Sequence, residues 1–195
     1  MFSRLRKLPL AVLALLAVLL LSACGDSHTK VTTGTYAGES GANAPYLDIG
    51  PLSYEVQLSR QLNPTNSEDA SYLKGLTPAA RQLAPGQEWF AVFLQVYNHT
   101  GQELAAATTI TISDTQANTY TPVVPDQTNE YAFRGGLVPA KGQLPQLDTT
   151  AALGPSQGSM LLYKIQVVSL DNRPLELKIT SPTDLAESAT AELDV

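Results

Sequence analysis

Few side chains in this chain of 195 residues are suited to covalent or acid–base chemistry. Its only thiol is Cys24, a nucleophile when ionised. Its two histidines are His28, read as solvated with no metal partner beside it, and His99, which has no His or Cys neighbour at metal-ligand spacing. Met1 and Met160 are the only thioethers, too few for a copper carrier. No metal site and no cofactor are expected. A Ser-His-Asp site at His99 would lack the Gly-x-Ser-x-Gly elbow that exposes a serine nucleophile, so a plain turn histidine is the simpler reading. Asp114, Asp126, Glu130 and Asp148 are scattered and fit no Ca²⁺-loop pattern. Two of them would have to converge in the fold to make a carboxylate hydrolase, the alternative to a binding role. Gly135-Gly136 lacks the Gly-Lys and helix of a phosphate loop. Asn98-His99-Thr100 spells an N-glycosylation acceptor, although turn chemistry explains it equally well. One constellation remains. Trp89, Phe93 and Tyr97 recur every fourth residue, which places them on one face of a strand as a possible binding face.

The position of Cys24 is more telling than its chemistry. Arg4, Arg6 and Lys7 precede an apolar run of 14 residues from Leu8 to Leu21, short of the ~20 that a spanning helix needs. The run ends in Leu21-Ser22-Ala23-Cys24, which resembles the lipobox of bacterial lipoproteins. That resemblance implies a signal peptide over 1–23, a diacylglycerol on the Cys24 sulfur and cleavage just before it. The lipid would then be the only added group, and it would hold the protein to the extracytoplasmic side of the cell membrane. Loss of three basic residues with the signal leaves nine against 18 acidic ones, a net charge of −9. With a pI near 4.8, the chain has no basic face for nucleic acid, and anionic headgroups should repel it. The segment 24–45 is rich in Gly, Ser and Thr and reads as a tether, with His28 and the acceptor-like threonines solvated. Fully extended, it would reach about 73 Å.

These groups must be positioned by the chain from Tyr46 onward, where the dominant period is two. Tyr54, Val56 and Leu58 alternate with polar residues, as do Ile110 and Ile112, and Leu175, Leu177 and Ile179. Runs near 88–97 and 159–168 are apolar on both faces and suit central strands. Pro-Gly and Asn-Gly-type punctuation separates them. Seven strands are predicted, at 51–59, 88–97, 106–113, 119–123, 159–168, 174–180 and 189–195. Short helical turns are predicted near Ser67–Gly75 and at Thr77-Pro78. The segment 124–158, rich in Pro and Gly, is too long for an ordinary connection. It is expected to lie over the Trp89 face, with Leu137, Val138, Leu144 or Leu147 packing there; otherwise that face is a groove for an envelope protein or an apolar ligand.

The stretch Pro85–Asn98, with Ile112-Ser113-Asp114, Tyr120-Thr121-Pro122 and Gly158–Ile165, resembles the telokin-like, immunoglobulin-like domains of bacterial lipoproteins and secreted antigens. Actinobacterial lipoproteins and, more distantly, the mycobacterial immunoprotective extracellular antigen share the pattern. The resemblance spans roughly 50–195 and implies an all-β, immunoglobulin-like antiparallel β-sandwich over 46–195. It brings no catalytic residues. The expectation is therefore a membrane-anchored, non-catalytic interaction module.

Overall fold

The computed structural model describes residues 29–32 and 46–193, so Cys24, His28 and most of the expected tether lie outside the described residues. All seven predicted strands are present, and the fold is an all-β sandwich. The first sheet runs in the order β1 (Thr29–Thr32), β12 (Ser188–Leu193), β11 (Leu175–Thr180), β6 (Thr109–Ser113) and β7 (Thr119–Tyr120). The second runs β10 (Ser159–Gln166), β4 (Gln87–Asn98), β3 (Leu52–Leu62) and β2 (Tyr46–Ile49), with β9 (Gln143–Leu144) also paired to β4. β5 (Leu104–Ala105) and β8 (Leu137–Val138) form a separate pair. Every pairing between these strands is antiparallel except β1 with β12.

Period-two alternation fills the space between the sheets. Phe90, Val92, Leu94 and Val96 of β4 and Leu161, Tyr163 and Ile165 of β10 meet Ile110, Ile112, Leu175, Leu177 and Ile179 from the first sheet. Two buried hydroxyls tie this core to backbone. Tyr54 Oη accepts the Ala107 N–H at 2.7 Å, and Tyr163 Oη donates to the Ile110 carbonyl at 3.4 Å. Burial pushes both phenols above their ordinary pKa, so each stays protonated.

A bulge at Gln57 breaks the alternation of β3, where the pairing to β4 shifts between Val56 and Leu58. The extra residue reverses the facing of the rest of the strand. Tyr54 and Val56 point into the sandwich, whereas Leu58 and Leu62 point out and join Trp89, Ala91, Phe93, Met160 and Leu162 in a second core. The cover of that second core differs from expectation. Its main parts are α1 (Ser67–Tyr72) and α2 (Pro78–Arg81), which bring Tyr72, Leu73, Leu76 and Leu83. From the long segment only Tyr131 joins it, beside Val123. Val138 belongs to the inner core, Leu144 packs against that core, and Leu137 and Leu147 are exposed.

The cap is held by polar pins. Asn66 caps α1 by accepting from the Glu68 N–H, and Thr77 caps α2 through the Ala80 N–H. Asn129 is buried and makes four bonds. Its amide donates to the carbonyls of Tyr72 and Lys74, and its oxygen accepts from the Tyr131 and Ala132 N–H groups. Gly75 has φ +78°, and a Cβ there would stand 2.6 Å from Asp126 Oδ1, so only glycine fits where the cap meets that loop.

The long segment has another role. Val123, Phe133 and Tyr131 bond along the β10 backbone at Leu162 and Met160, which covers an edge that would otherwise be open for pairing. At the far side of the first sheet, β1 does the same for β12. The tether expectation fails for those four residues: Thr29–Thr32 are paired strand. Val167 and Val168, read as the end of a strand, instead form an exposed 3₁₀ turn, Val167–Leu170.

Candidate functional site

The three aromatic residues expected to share a face do so, but their environments differ. Trp89 and Phe93 lie beneath the cap at 1% and 0% exposure, and Trp89 only borders a smaller cleft of about 210 Å³ with Pro64, Ala70, Leu73, Arg81 and Leu83. Lys164 Nζ sits 5.2 Å from the Trp89 ring centroid, and Tyr72 meets Phe93 edge to face. Tyr97, beyond the reach of α1, is only half-buried.

Around Tyr97 the outer face of the second sheet is uncovered. Strand register brings Tyr46, Glu55 and Gln95 side by side, since Tyr46 pairs with Glu55 and Glu55 with Gln95. Tyr46 is 51% exposed and packs edge-on against Tyr97, with centroids 6.0 Å apart. Tyr97 Oη donates to Glu55 Oε2 at 2.9 Å and also touches Gln95 Oε1. Glu55 is buried at 2% exposure, so this phenol shields a carboxylate that would otherwise lack a donor. Burial, then the hydrogen bond and charge of Glu55, push the Tyr97 hydroxyl well above its ordinary pKa and keep it a donor.

His99 lies against the same ring. Its imidazole is nearly parallel to Tyr97, 10° between planes at a centroid separation of 6.3 Å. Together they edge an open cleft of about 420 Å³, completed by Asn98, Pro139, Lys141, Gly142, Gln143, Gln146 and Leu147. This volume falls within the ~300–1,000 Å³ common for small-ligand sites. Lys141 takes a positive φ of 54°, and its ammonium donates to the His99 carbonyl at 2.7 Å, which locks the loop against the turn.

Asp114 and Asp126 are each tied into their own turns. Asp114 binds the β6–β7 turn, accepting from the Gln116 and Asn118 backbone, the Asn118 amide and Ser169. Burial raises its pKa, but the bonds from Asn118, Ser169 and Asn172 outweigh this and hold it below the usual carboxylate range. Asp126 accepts from Thr128, and the side-chain and backbone bonds of that residue lower its pKa, aided by Arg134 and Lys74. Glu130 accepts from Thr150, and Asp148 belongs to a different turn. Among the described residues, no three His, Cys, Asp or Glu side chains cluster closely enough to hold a metal ion. Asn98 is 1% exposed, with its amide on the Gln102 and Val138 carbonyls and its oxygen on Thr100, so the glycosylation spelling is turn chemistry. Gly135-Gly136 is irregular backbone with positive φ at both residues, and its Gly136 carbonyl accepts from the Ala106 N–H. Sequence reasoning found Tyr97 but missed Tyr46, Glu55 and Gln95. The alternation of Tyr46-Leu47-Asp48-Ile49 was the available signal for the first.

No protein-family model matches the chain, and no curated protein is significantly similar to it. Three solved structures are similar in shape. The YjhA protein of Bacillus subtilis is 12% identical, with a TM-score of 0.49 over 77% of this chain and 97% of its own. The YcdA protein of Bacillus subtilis, a candidate lipoprotein, is 12% identical at a TM-score of 0.47, covering 78% of this chain and 39% of its own. An uncharacterised β-sandwich protein of Clostridium difficile is 11% identical at 0.43, over 84% and 95% of the two chains.

Proposed function

We propose that this protein is a lipid-anchored, non-catalytic binding module of the cell envelope. It engages its partner through the open end of the second sheet, beside the Tyr97–His99 cleft. The observation that carries the reading is the contrast along one sheet face, sealed by the cap over Trp89 and Phe93 but open at Tyr97. The anchoring half rests on Leu21-Ser22-Ala23-Cys24 behind its apolar run. Two fatty chains each contributing about 0.8 kcal/mol per buried CH₂ make release negligible. The likeness to the telokin-like domains of bacterial lipoproteins agrees with an extracytoplasmic site.

The pairing of β1 changes how the anchor would act. Only four residues separate Cys24 from Thr29, five Cα steps, so while β1 stays in the sheet the lipid lies at most about 18 Å from the globule. The proposal is tested in bacterial cells fed an alkyne fatty acid. The wild-type protein should carry the label and migrate as the processed form. Cys24→Ala should lose the label and accumulate as the longer precursor. Labelling that survives Cys24→Ala overturns the anchor.

A further inference from the structure

We propose that the cleft beside Tyr97 binds an oligosaccharide that carries no cationic group, with its sugar rings laid on the Tyr97 and His99 faces. This deepens the reading of that cleft as a binding site and rests on it. Three features of the lining select the ligand class.

The first is ring geometry. Tyr97 and His99 present nearly parallel planes, 10° apart, and Tyr46 stands edge-on beside them. Flat aromatic faces attract weakly polarised C–H groups through their negative π-clouds. A pyranose offers such C–H groups on one face and hydroxyls around its rim. The phenol of Tyr97 is fixed by its bond to buried Glu55, so this ring is oriented before any ligand arrives.

The second is charge. Among the described residues the lining includes no carboxylate; Glu55 is buried behind the Tyr97 hydroxyl, and the one ammonium of the lining, on Lys141, donates to the His99 carbonyl. Beside that ammonium the cleft offers the carboxamides of Gln143 and Gln146 and the imidazole of His99. A cationic ligand would give up its hydration without a compensating carboxylate.

The third is unused hydrogen-bonding capacity. Among the described residues the side chains of Gln146 and His99 have no hydrogen-bond partner, and the Gln143 amide makes only a long bond of 3.4 Å to the Pro145 carbonyl. A carboxamide supplies two donors and an acceptor, which suits vicinal hydroxyls or an acetamido group. An apolar chain would leave these groups without partners.

The test uses the full lipidated chain in detergent, titrated by calorimetry with chitotetraose and cellotetraose; the two probes separate acetamido from hydroxyl recognition. Saturable binding of either, weakened at least tenfold by His99→Ala and by Gln146→Ala, is the expected result. Both side chains lie at the surface, and unchanged melting temperatures would show that the fold is intact. A photo-crosslinking residue at Gln146 in living cells separates the two readings. If neither sugar binds but the crosslinker captures a protein, the sugar assignment falls and the binding-site reading stands. If neither sugar binds and nothing is captured, both fall. Sugar binding indifferent to His99→Ala and Gln146→Ala also overturns the inference.

Discussion

The outer face of the second sheet has two ends built by the same strands, and they are treated oppositely. At one end Trp89, Phe93, Met160 and Leu62 are sealed under α1 and α2. At the other, Tyr46, Glu55, Gln95 and Tyr97 are left without a cap, with a cleft alongside. The apolar end must be covered, because an exposed patch of that size would invite association. The open end can stay uncovered because its side chains are amphipathic and its one buried charge is hydrogen-bonded. Within a single sheet, then, side-chain polarity decides where the chain invests a cap and where it leaves a surface.

Truncating each end in turn should give the largest contrast. Phe93→Ala removes a fully buried ring that contacts Tyr72 and should cost about 3–5 kcal/mol in urea unfolding. Tyr46→Ala, at the half-exposed margin of the open end, should change stability by no more than about 0.5 kcal/mol. Equal losses would mean that the open end is also structural.

Next comes the pin that holds the cap. Asn129→Ala strands two backbone carbonyls at the end of α1 and two N–H groups of the long segment. At about 1–3 kcal/mol for leaving buried partners unmade, the global loss should be near 2 kcal/mol. Hydrogen exchange should speed up first at α1 and around Tyr131, while the amides of β11 and β12 stay protected. Uniform acceleration across both sheets would show that the cap and the sandwich are one cooperative unit.

The sequence displayed these regions unequally. Strands that line the inner core were legible because alternation survives wherever one face is buried and the other is wet, as in Leu175-Glu176-Leu177-Lys178-Ile179. The cap was half legible. Thr77-Pro78 announced α2, and the run to Gly75 announced α1, but nothing local said which surface they would cover. The bulge at Gln57 decides that by turning Leu58 and Leu62 outward, and a single inserted residue leaves no periodic trace. The open end depends on register across three strands, which joins residues 46, 55, 95 and 97; separations of that kind are invisible to local pattern. Thr29–Thr32 carries one apolar residue, too little for alternation to register as a strand.

Acid stability should belong to neither end. Asp114 joins the β6–β7 turn to Ser169 and Asn172, and its folded-state pKa lies below the unfolded value of about 3.9. A depressed carboxylate pKa contributes stability that is fully present above the unfolded value and is lost as pH falls toward the folded one. The melting temperature should therefore hold from neutral pH to about 4 and drop below it. Asp114→Asn should be less stable at neutral pH, with a shallower acid slope. An unchanged slope would move the acid lability to Asp126, whose pKa is also lowered.

The smallest effect concerns β1 and where the open end points. Thr29 pairs with Ser188, and the neighbouring Glu187 accepts from the Gly50 N–H at 2.6 Å. Two residues on, Leu52 pairs with Asn98 at the mouth of the cleft. The start of β1 and the open end thus lie at the same end of the sandwich. Under the proposed lipidation of Cys24, a docked β1 would hold that end toward the bilayer, whereas a released β1 would restore the longer leash and free its direction. A four-residue edge strand adds little stability, so Thr32→Pro should shift the urea midpoint barely, by less than about 1 kcal/mol. Trypsin gives a sharper readout, because cleavage after Lys30 requires the strand to leave the sheet. The wild type should be cut there slowly, and Thr32→Pro several-fold faster with the rest of the sandwich intact. Equal rates would return residues 29–32 to the tether and leave the open end with no fixed direction.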